Sequence, residues 1–491
     1  MAISGNTRSP AALFIAVNLA ANFTWSAQDE VSEKGIEMTT IVNAGARLDR
    51  LPISSFHYRI FWLIAAGMFF DGYDLYVAGP VLGAAIQSKF STLSQNGWFL
   101  SLTFLGMTLG SLLAGFLGDR YGRRFTYQFN LMIFGLASLA AAFAPDINVL
   151  NGLRFIMGVG LGAEIVVGYG TMTEFIPPQT RGKWMAFMAF VVVSGLPATA
   201  ILGWAIVPGF GWRPLFVIAG IGALIVWYLR KVLPESPRWL EANGRTEEAE
   251  ALMKTIEHEV AATTPLLPPL TPSSAPNPSL KALLTASLLP SMVVGSVVLI
   301  TINALIFGFV NWLPTFFVQQ GLSVTRSLTY TLVIVSGSLI GCAIGAVAAD
   351  SLGRRKTIIG ASVWTIVFGS IYPFAKEPLL VLATGFLLIV GIYVLTAMLY
   401  GVYTSELFPT AVRLRANGIC NMFGRGATIL TPLVVVVLFK SYGVGGVLAL
   451  MIALLVMQIV VVWAWGIEPA KRGLEALTAS TTDITPRTLR A

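Results

Sequence analysis

Apolar stretches of about twenty residues, each followed by a short polar break, recur along the chain from Ile60 to Trp465. A helix needs about 20 such residues to cross roughly 30 Å of hydrocarbon. The pattern predicts spans near 60–87, 96–117, 125–144, 149–173, 183–207, 212–233, 283–318, 327–349, 357–374, 379–405, 414–437 and 441–467. The expected fold is therefore an all-α membrane protein of twelve transmembrane helices, since a helix satisfies its own backbone where water is absent. Between the sixth and seventh spans, 234–282 is polar, with a charge-rich segment from Glu241 to Glu259 and then Pro265, Pro268, Pro269, Pro272, Pro276 and Pro278. It reads as a short amphipathic helix plus linker. The expected organisation is a mobile cytoplasmic tail at 1–52, a six-helix half at 53–233, a cytoplasmic loop at 234–282, a second six-helix half at 283–467 and a cytoplasmic tail at 468–491. The apolar patch at 11–21 is too short to span, is interrupted by Asn18 and follows a single basic residue, Arg8, so it gives little support to a signal peptide. Met38 is a second candidate translation start.

Composition agrees with a lipid solvent: 55% of the 491 residues are hydrophobic, 11% are charged, and the mean hydropathy is +0.75, against about 25% charged in soluble domains. The formal charge of +8 is dispersed in short clusters between apolar runs, which argues against nucleic acid. With the N-terminus cytoplasmic, the even-numbered connections hold Arg120, Arg123, Arg124, Arg181, Lys183, Arg230, Lys231, Arg238, Arg245, Arg354, Arg355, Lys356, Arg413 and Arg415, whereas the odd ones hold little beyond Lys89, Arg213, Arg326, Lys376 and Lys440. The asymmetry places both termini in the cytoplasm of a cell-membrane protein. Cys342 and Cys420 lie in apolar segments far from metal or redox spacing, and His57 and His258 fall outside the expected spans and read as solvated or interfacial. No metal, cofactor or enzyme chemistry is expected, and the bilayer is the expected environment of a chain that works as a monomer.

Two motifs recur at nearly one interval. GFLGDRYGRR places Asp119 three residues before Gly122, followed by Arg123 and Arg124; ADSLGRR places Asp350, Gly353, Arg354 and Arg355 in the same order 231 positions later. Glu174, Pro177 and Arg181 match Glu406, Pro409 and Arg413 at an offset of 232. Two motifs in register imply a duplication into parallel halves, an established transporter plan with a site between the halves. DRYGRR with its second copy, RFIMGVG from Arg154 and PESPRWL from Pro234 resemble the major facilitator superfamily over roughly residues 50–475. FFDGYD and NWLPTF are similar to aromatic-acid:proton symporters; GAEIVVGYGTMTEFIPPQTRG and PESPRWL look closer to niacin transporters and their sugar-porter and organic-ion relatives.

The junction residues come first among the candidates. Asp119 can accept backbone and guanidinium hydrogen bonds at a helix end, and Gly122 permits a tight turn. The resemblance implies that Asp119, Gly122, Arg123, Arg124, Glu174, Arg181, Asp350, Gly353, Arg354, Arg355, Glu406 and Arg413 form latches that break as the inner side opens; topology and helix capping account for the arginines as well. Asp71 and Asp74, about eleven to fourteen residues into the first span, lie near the midplane and share a helix face. A carboxylate at that depth is a functional candidate by default, and the resemblance favours Asp74, partnered by Asp71, for proton coupling. A permanent pair with an arginine is the alternative. Glu164 is mid-span in the fourth helix and reads as a second proton acceptor; Arg154, ten residues earlier, points to another face. Arg154 belongs to a motif that the resemblance implicates in proton coupling, or else it forms an ion pair holding the N-terminal helices together.

Arg425 lies about eleven positions into the eleventh span between Gly424 and Gly426. A guanidinium there matches a substrate carboxylate, with room left by the glycines, or pairs with Asp71, Asp74 or Glu164. Tyr73, Asn303, Asn311, Trp312, Tyr393 and Tyr400 complete a pocket suited to a planar ring by analogy with the superfamily. The expected function is proton-coupled symport of a small aromatic carboxylate, benzoate- or nicotinate-like, by alternating access. A sugar or polyol transporter is the runner-up, and a non-transporting nutrient sensor on the same fold or an integral membrane hydrolase the readings of other classes.

Overall fold

The computed structural model describes residues 42–261, 288–408 and 413–467, and the side chains of Asp350 and Arg413 lie outside the described residues. Described elements run in the order α1 (Ala44–Asp49), α2 (Ser55–Gln87), α3 (Leu93–Tyr121), α4 (Arg123–Ala142), α5 (Ile147–Phe175), α6 (Pro178–Phe210), α7 (Arg213–Leu229), α8 (Pro237–Ala242), α9 (Thr246–Ala261), α10 (Leu289–Gly308), α11 (Leu313–Gln319), α12 (Val324–Leu352), α13 (Arg354–Ile371), α14 (Pro378–Met398) and α15 (Arg413–Trp465). Among the described residues eleven helical stretches are long and apolar enough to cross a membrane, and the last contains two spans folded about Gly443 at φ 63°, giving the twelve of the hydropathy pattern. The seventh span is α10 and α11 joined by a 3-10 turn at Val310–Trp312.

Turn chemistry sets the connections at the end away from the arginine clusters. Thr92 closes a capping box on α3, the Asp146 side chain accepts from Asn148 and Val149 at the start of α5, and Ser323 caps α12. At the opposite end Gly122 (φ 94°) and Gly353 (φ 88°) turn the chain at equivalent junctions of the two halves, a conformation that a Cβ disfavours.

Within each half, helices meet backbone to backbone at glycines. A Cβ on Gly110 would lie 1.9 Å from the Val159 carbonyl oxygen between α3 and α5, and one on Gly341 would lie 2.4 Å from the Val390 carbonyl oxygen between α12 and α14. These two glycines are 231 positions apart, so the duplication extends from the junction motifs into the packing. Across the halves, α2 packs on α11, α3 on α15 and α6 on α12. Gln87 accepts from Val324 N–H (3.2 Å), Ser101 donates to the Ile429 carbonyl (2.8 Å), and Gly83 abuts Pro314. These contacts lie from the middle of the helices towards the end remote from the arginine clusters, so the halves are closed together there.

The part of 1–52 that is described, 42–52, contains α1, docked against α8 and α9. Glu241 accepts from the N–H groups of Asn43 (2.7 Å) and Ala44 (2.8 Å), Arg47 pairs with Glu250 and with Glu257 (2.7 Å), and Arg50 pairs with Glu257 (2.8 Å). The amphipathic helix expected in the central segment is α8 and α9; residues 262–287 lie outside the described residues. The docking corrects one reading: His57 is not solvated but fully buried in the first turn of α2, where its Nδ1 accepts from the Ser54 N–H (3.2 Å) as half of a capping box. α1 and neighbouring apolar side chains cover that turn, which a span count from hydropathy does not anticipate.

Candidate functional site

The buried charges of the first half gather between α2 and α5. Asp74 and Arg154 form an ion pair at 2.6 Å, both essentially inaccessible. Arg154 also donates from Nε to Thr103 Oγ1 (3.2 Å) and from Nη2 to the Asp74 carbonyl (3.4 Å), and its guanidinium lies 4.7 Å from the Phe99 ring centroid. The glycine seam between α3 and α5 brings Thr103 against Gly158 and so sets this network. Glu164 pairs with Arg230, which also donates to the carbonyls of Leu63 (2.8 Å) and Ile64 (2.7 Å). Gly67 makes room, since a Cβ there would lie 2.1 Å from Arg230 Nη2. The ten-residue spacing of Arg154 and Glu164 does leave them with separate partners.

Asp71 differs from its neighbours. It is fully buried, and among the described residues neither of its carboxyl oxygens has a hydrogen-bond partner. It sits within electrostatic reach of Glu164, Arg230 and Asp74. Two ion pairs therefore account for four buried charges, and Asp71 remains.

In the second half Arg425 is half-buried, and among the described residues its guanidinium has neither an ion pair nor a hydrogen bond. Its electrostatic neighbour is Tyr400, whose hydroxyl donates to Asn303 Oδ1 (2.7 Å). The flanking glycines do different things. A Cβ on Gly424 would lie 2.9 Å from Asn303 Nδ2, so Gly424 lets α15 approach α10, whereas Gly426 faces open space. Arg425, Tyr400 and Asn303 thus come together. The other expected pocket residues are engaged elsewhere: Tyr73 donates to the Leu215 carbonyl (3.2 Å), Asn311 donates to the Leu75 carbonyl (3.1 Å), Tyr393 donates to the Tyr76 hydroxyl (3.4 Å), and Trp312 is buried and stacked on Phe316. Asn311 and Tyr393 make contacts between the halves.

At the arginine-rich end the repeat is visible as a pair of equivalent bridges. Arg123 pairs with Glu174 (3.0 Å) and with Asp119 (3.0 Å); Arg354 pairs with Glu406 (3.0 Å). Glu235 accepts from the Arg123 N–H (2.8 Å) and the Arg124 N–H (3.2 Å), occupying the positive end of α4, and a Cβ on Gly122 would lie 2.2 Å from its Oε2. Arg181 and Arg238 share Asp49 at 3.3 and 2.6 Å, and Arg355 donates to the Trp463 carbonyl.

Residues 60–480 match the family described as sugar (and other) transporter. This chain belongs to that family. It is a major facilitator transporter, not an enzyme. The inner membrane metabolite transport protein YdjE of Escherichia coli is 36% identical, over 88% of this chain and 98% of that protein. The niacin transporter NiaP of Acinetobacter baylyi is 30% identical, over 79% and 89%. A crystal structure of a D-xylose-proton symporter superposes with a TM-score of 0.66 at 19% identity, covering 84% of this chain and 99% of that one, which establishes the shared fold alone.

Within the transporter fold, sequence reasoning assigned Arg230 to a topological cluster, yet it is fully buried and bound to Glu164. Its position directly at the end of an apolar span, where it can reach back into the helices, is the one signal available. Thr103 and Tyr76 left no comparable trace, since each acquires its role from a partner on another helix, and Glu235 was visible only as a member of PESPRWL, with no role assigned.

Proposed function

We propose that this transporter carries a small organic acid together with a proton by alternating access, with aromatic carboxylates of the benzoate or nicotinate type as the leading substrates. The observation that carries the reading is Arg425: a half-buried permanent cation within a span, without an anionic partner among the described residues, beside a tyrosine–asparagine hydrogen bond and an open glycine face. A carboxylate supplies the missing charge in a geometry that a guanidinium fork matches. The niacin transporter among the relatives supports the same substrate class.

Asp71 supplies the proton site. Asp74 and Glu164 already hold arginines, so Asp71 is the buried carboxyl whose charge no bridge compensates. With Asp71 ionised and Arg425 empty, the two charges balance across the molecule; with Asp71 protonated and Arg425 holding a monocarboxylate, each is neutral where it stands. Both states reorient without net uncompensated charge, the condition that makes an intramembrane ionisable pair tolerable. The bridges of Arg123 with Glu174 and Arg354 with Glu406 act as latches on the cytoplasmic side, where both termini lie.

The test is a thermal-shift series on the purified full-length protein with nicotinate, benzoate, an aliphatic acid, xylose and an organic cation. A native-state ligand at 100 times its Kd raises stability by about 2.7 kcal/mol. An aromatic acid is expected to raise the melting temperature of the parent protein and of Arg425→Lys partially, and to leave Arg425→Ala unmoved. Stabilisation by xylose alone, or an undiminished response to the acid in Arg425→Ala, overturns the reading.

A further inference from the structure

Two cavities open side by side on the outer face of the first half, at its arginine-rich end. One of about 630 Å³ lies between the start of α4 and the α8–α9 segment; the other, of about 430 Å³, runs along α4 against the end of α7. They share Arg124, Phe125 and Gln128, and the second continues along Phe129, Met132, Trp227 and Lys231.

The second cavity is graded in polarity. Arg124 and Lys231 stand at its mouth, and Met132 lies about 12 Å deeper along α4. Among the described residues no carboxylate lines it. The Arg124 guanidinium donates to the Lys231 carbonyl (2.8 Å), which holds it at the mouth without neutralising it, and the Lys231 ammonium lies 4.3 Å from the Trp227 ring centroid and 5.2 Å from that of Tyr228. The two carboxylates lining the adjoining cavity are spoken for: Glu235 caps α4, and Glu248 pairs with Arg245. Gln128, common to both cavities, has a buried amide nitrogen without an acceptor. Two uncompensated cations, an unused donor and an aromatic floor that deepens into the span match one amphiphile. Basic pockets between helices at the cytoplasmic surface recognise anionic headgroups in this way.

We propose that this groove binds an anionic phospholipid of the surrounding bilayer, its phosphate held by Arg124 and Lys231 and an acyl chain laid along Phe129, Met132 and Trp227. A soluble anion would engage the cations and leave the apolar floor bare.

The experiment is native mass spectrometry of the purified full-length chain equilibrated with phosphatidylglycerol or with phosphatidylcholine of the same chain length. Phosphatidylglycerol is expected to be retained in preference to phosphatidylcholine, and Lys231→Gln to lower its retention about fivefold, the factor one interfacial cation contributes, with phosphatidylcholine unchanged. Lys231→Arg is expected to restore retention, which separates lost charge from lost structure. Deacylated glycerophosphoglycerol and inorganic phosphate are expected not to displace the lipid. Equal retention of the two lipids, unaltered binding in Lys231→Gln, a loss not restored in Lys231→Arg, or displacement by inorganic phosphate each overturns the proposal.

Discussion

At the scale of single residues, the buried carboxyls of this transporter divide by partner and not by depth. Asp74 and Glu164 each form an ion pair with an arginine, and Asp71, one helical turn from Asp74, forms none among the described residues, although Arg230 lies within its electrostatic reach. Removing one member of a buried pair leaves the other uncompensated, at a cost of about 3–5 kcal/mol. Glu164→Gln, which strands Arg230, is therefore expected to lower unfolding stability by that amount. Asp71→Asn breaks no described ion pair and is expected to change stability by less than about 1 kcal/mol, while uptake loses its dependence on a pH gradient. Unfolding curves in detergent beside uptake at imposed gradients read both effects. If Asp71→Asn unfolds as readily as Glu164→Gln, or retains gradient-driven uptake, Asp71 is not the proton site. The sequence makes Asp71, Asp74, Arg154 and Glu164 visible as candidates, but it cannot say which carboxyl lacks a partner. That depends on Arg230, which reaches its site through tertiary contact with α2 and α5.

At the scale of elements, α1 is held to α9 by charge. Burial pushes the Glu257 carboxyl up, but hydrogen bonds from Arg47 and Arg50 outweigh it and hold the group below the usual glutamate range. A lowered folded-state value means that the stabilisation is fully present above the unfolded value of about 4.3 and is lost as pH falls through the lower folded value. Limited proteolysis near 50–54 is expected to be slow at neutral pH and to accelerate on acidification below about pH 4. Glu257→Gln is expected to cleave faster at neutral pH and to lose most of that acid dependence; equal cleavage of parent and variant at neutral pH would show that the ion pairs do not hold α1. The amphipathic character of α9 was legible in its spacing of acidic and apolar residues. Its partner was not, because α1 is only six residues long and is selected by Glu241, Glu250 and Glu257 in space.

At the scale of the whole molecule, the two halves close against each other at the end remote from the arginine clusters, through Gln87 with Val324, Ser101 with Ile429 and Gly83 with Pro314. Alternating access requires that these contacts part. A disulfide between cysteines placed at Gln87 and Val324 is expected to abolish transport when formed and to release it on reduction, with ligand-induced thermal stabilisation preserved in both states. Transport at the parental rate with the bridge intact would mean that the halves move without separating there.

Segments of apolar length and their polar breaks determine the number of spans, because the thickness of the hydrocarbon and the need to satisfy every backbone group leave the chain one solution. The two motif copies likewise determine the duplication, and the Arg123–Glu174 and Arg354–Glu406 bridges are its direct image in space. What lies beyond local pattern is the pairing of charges. Asp74 with Arg154 and Glu164 with Arg230 arise where glycines let helix backbones approach, and so does the absence of a bridge at Asp71 among the described residues; an ion pair is a property of two helices at a particular distance, not of either sequence segment alone.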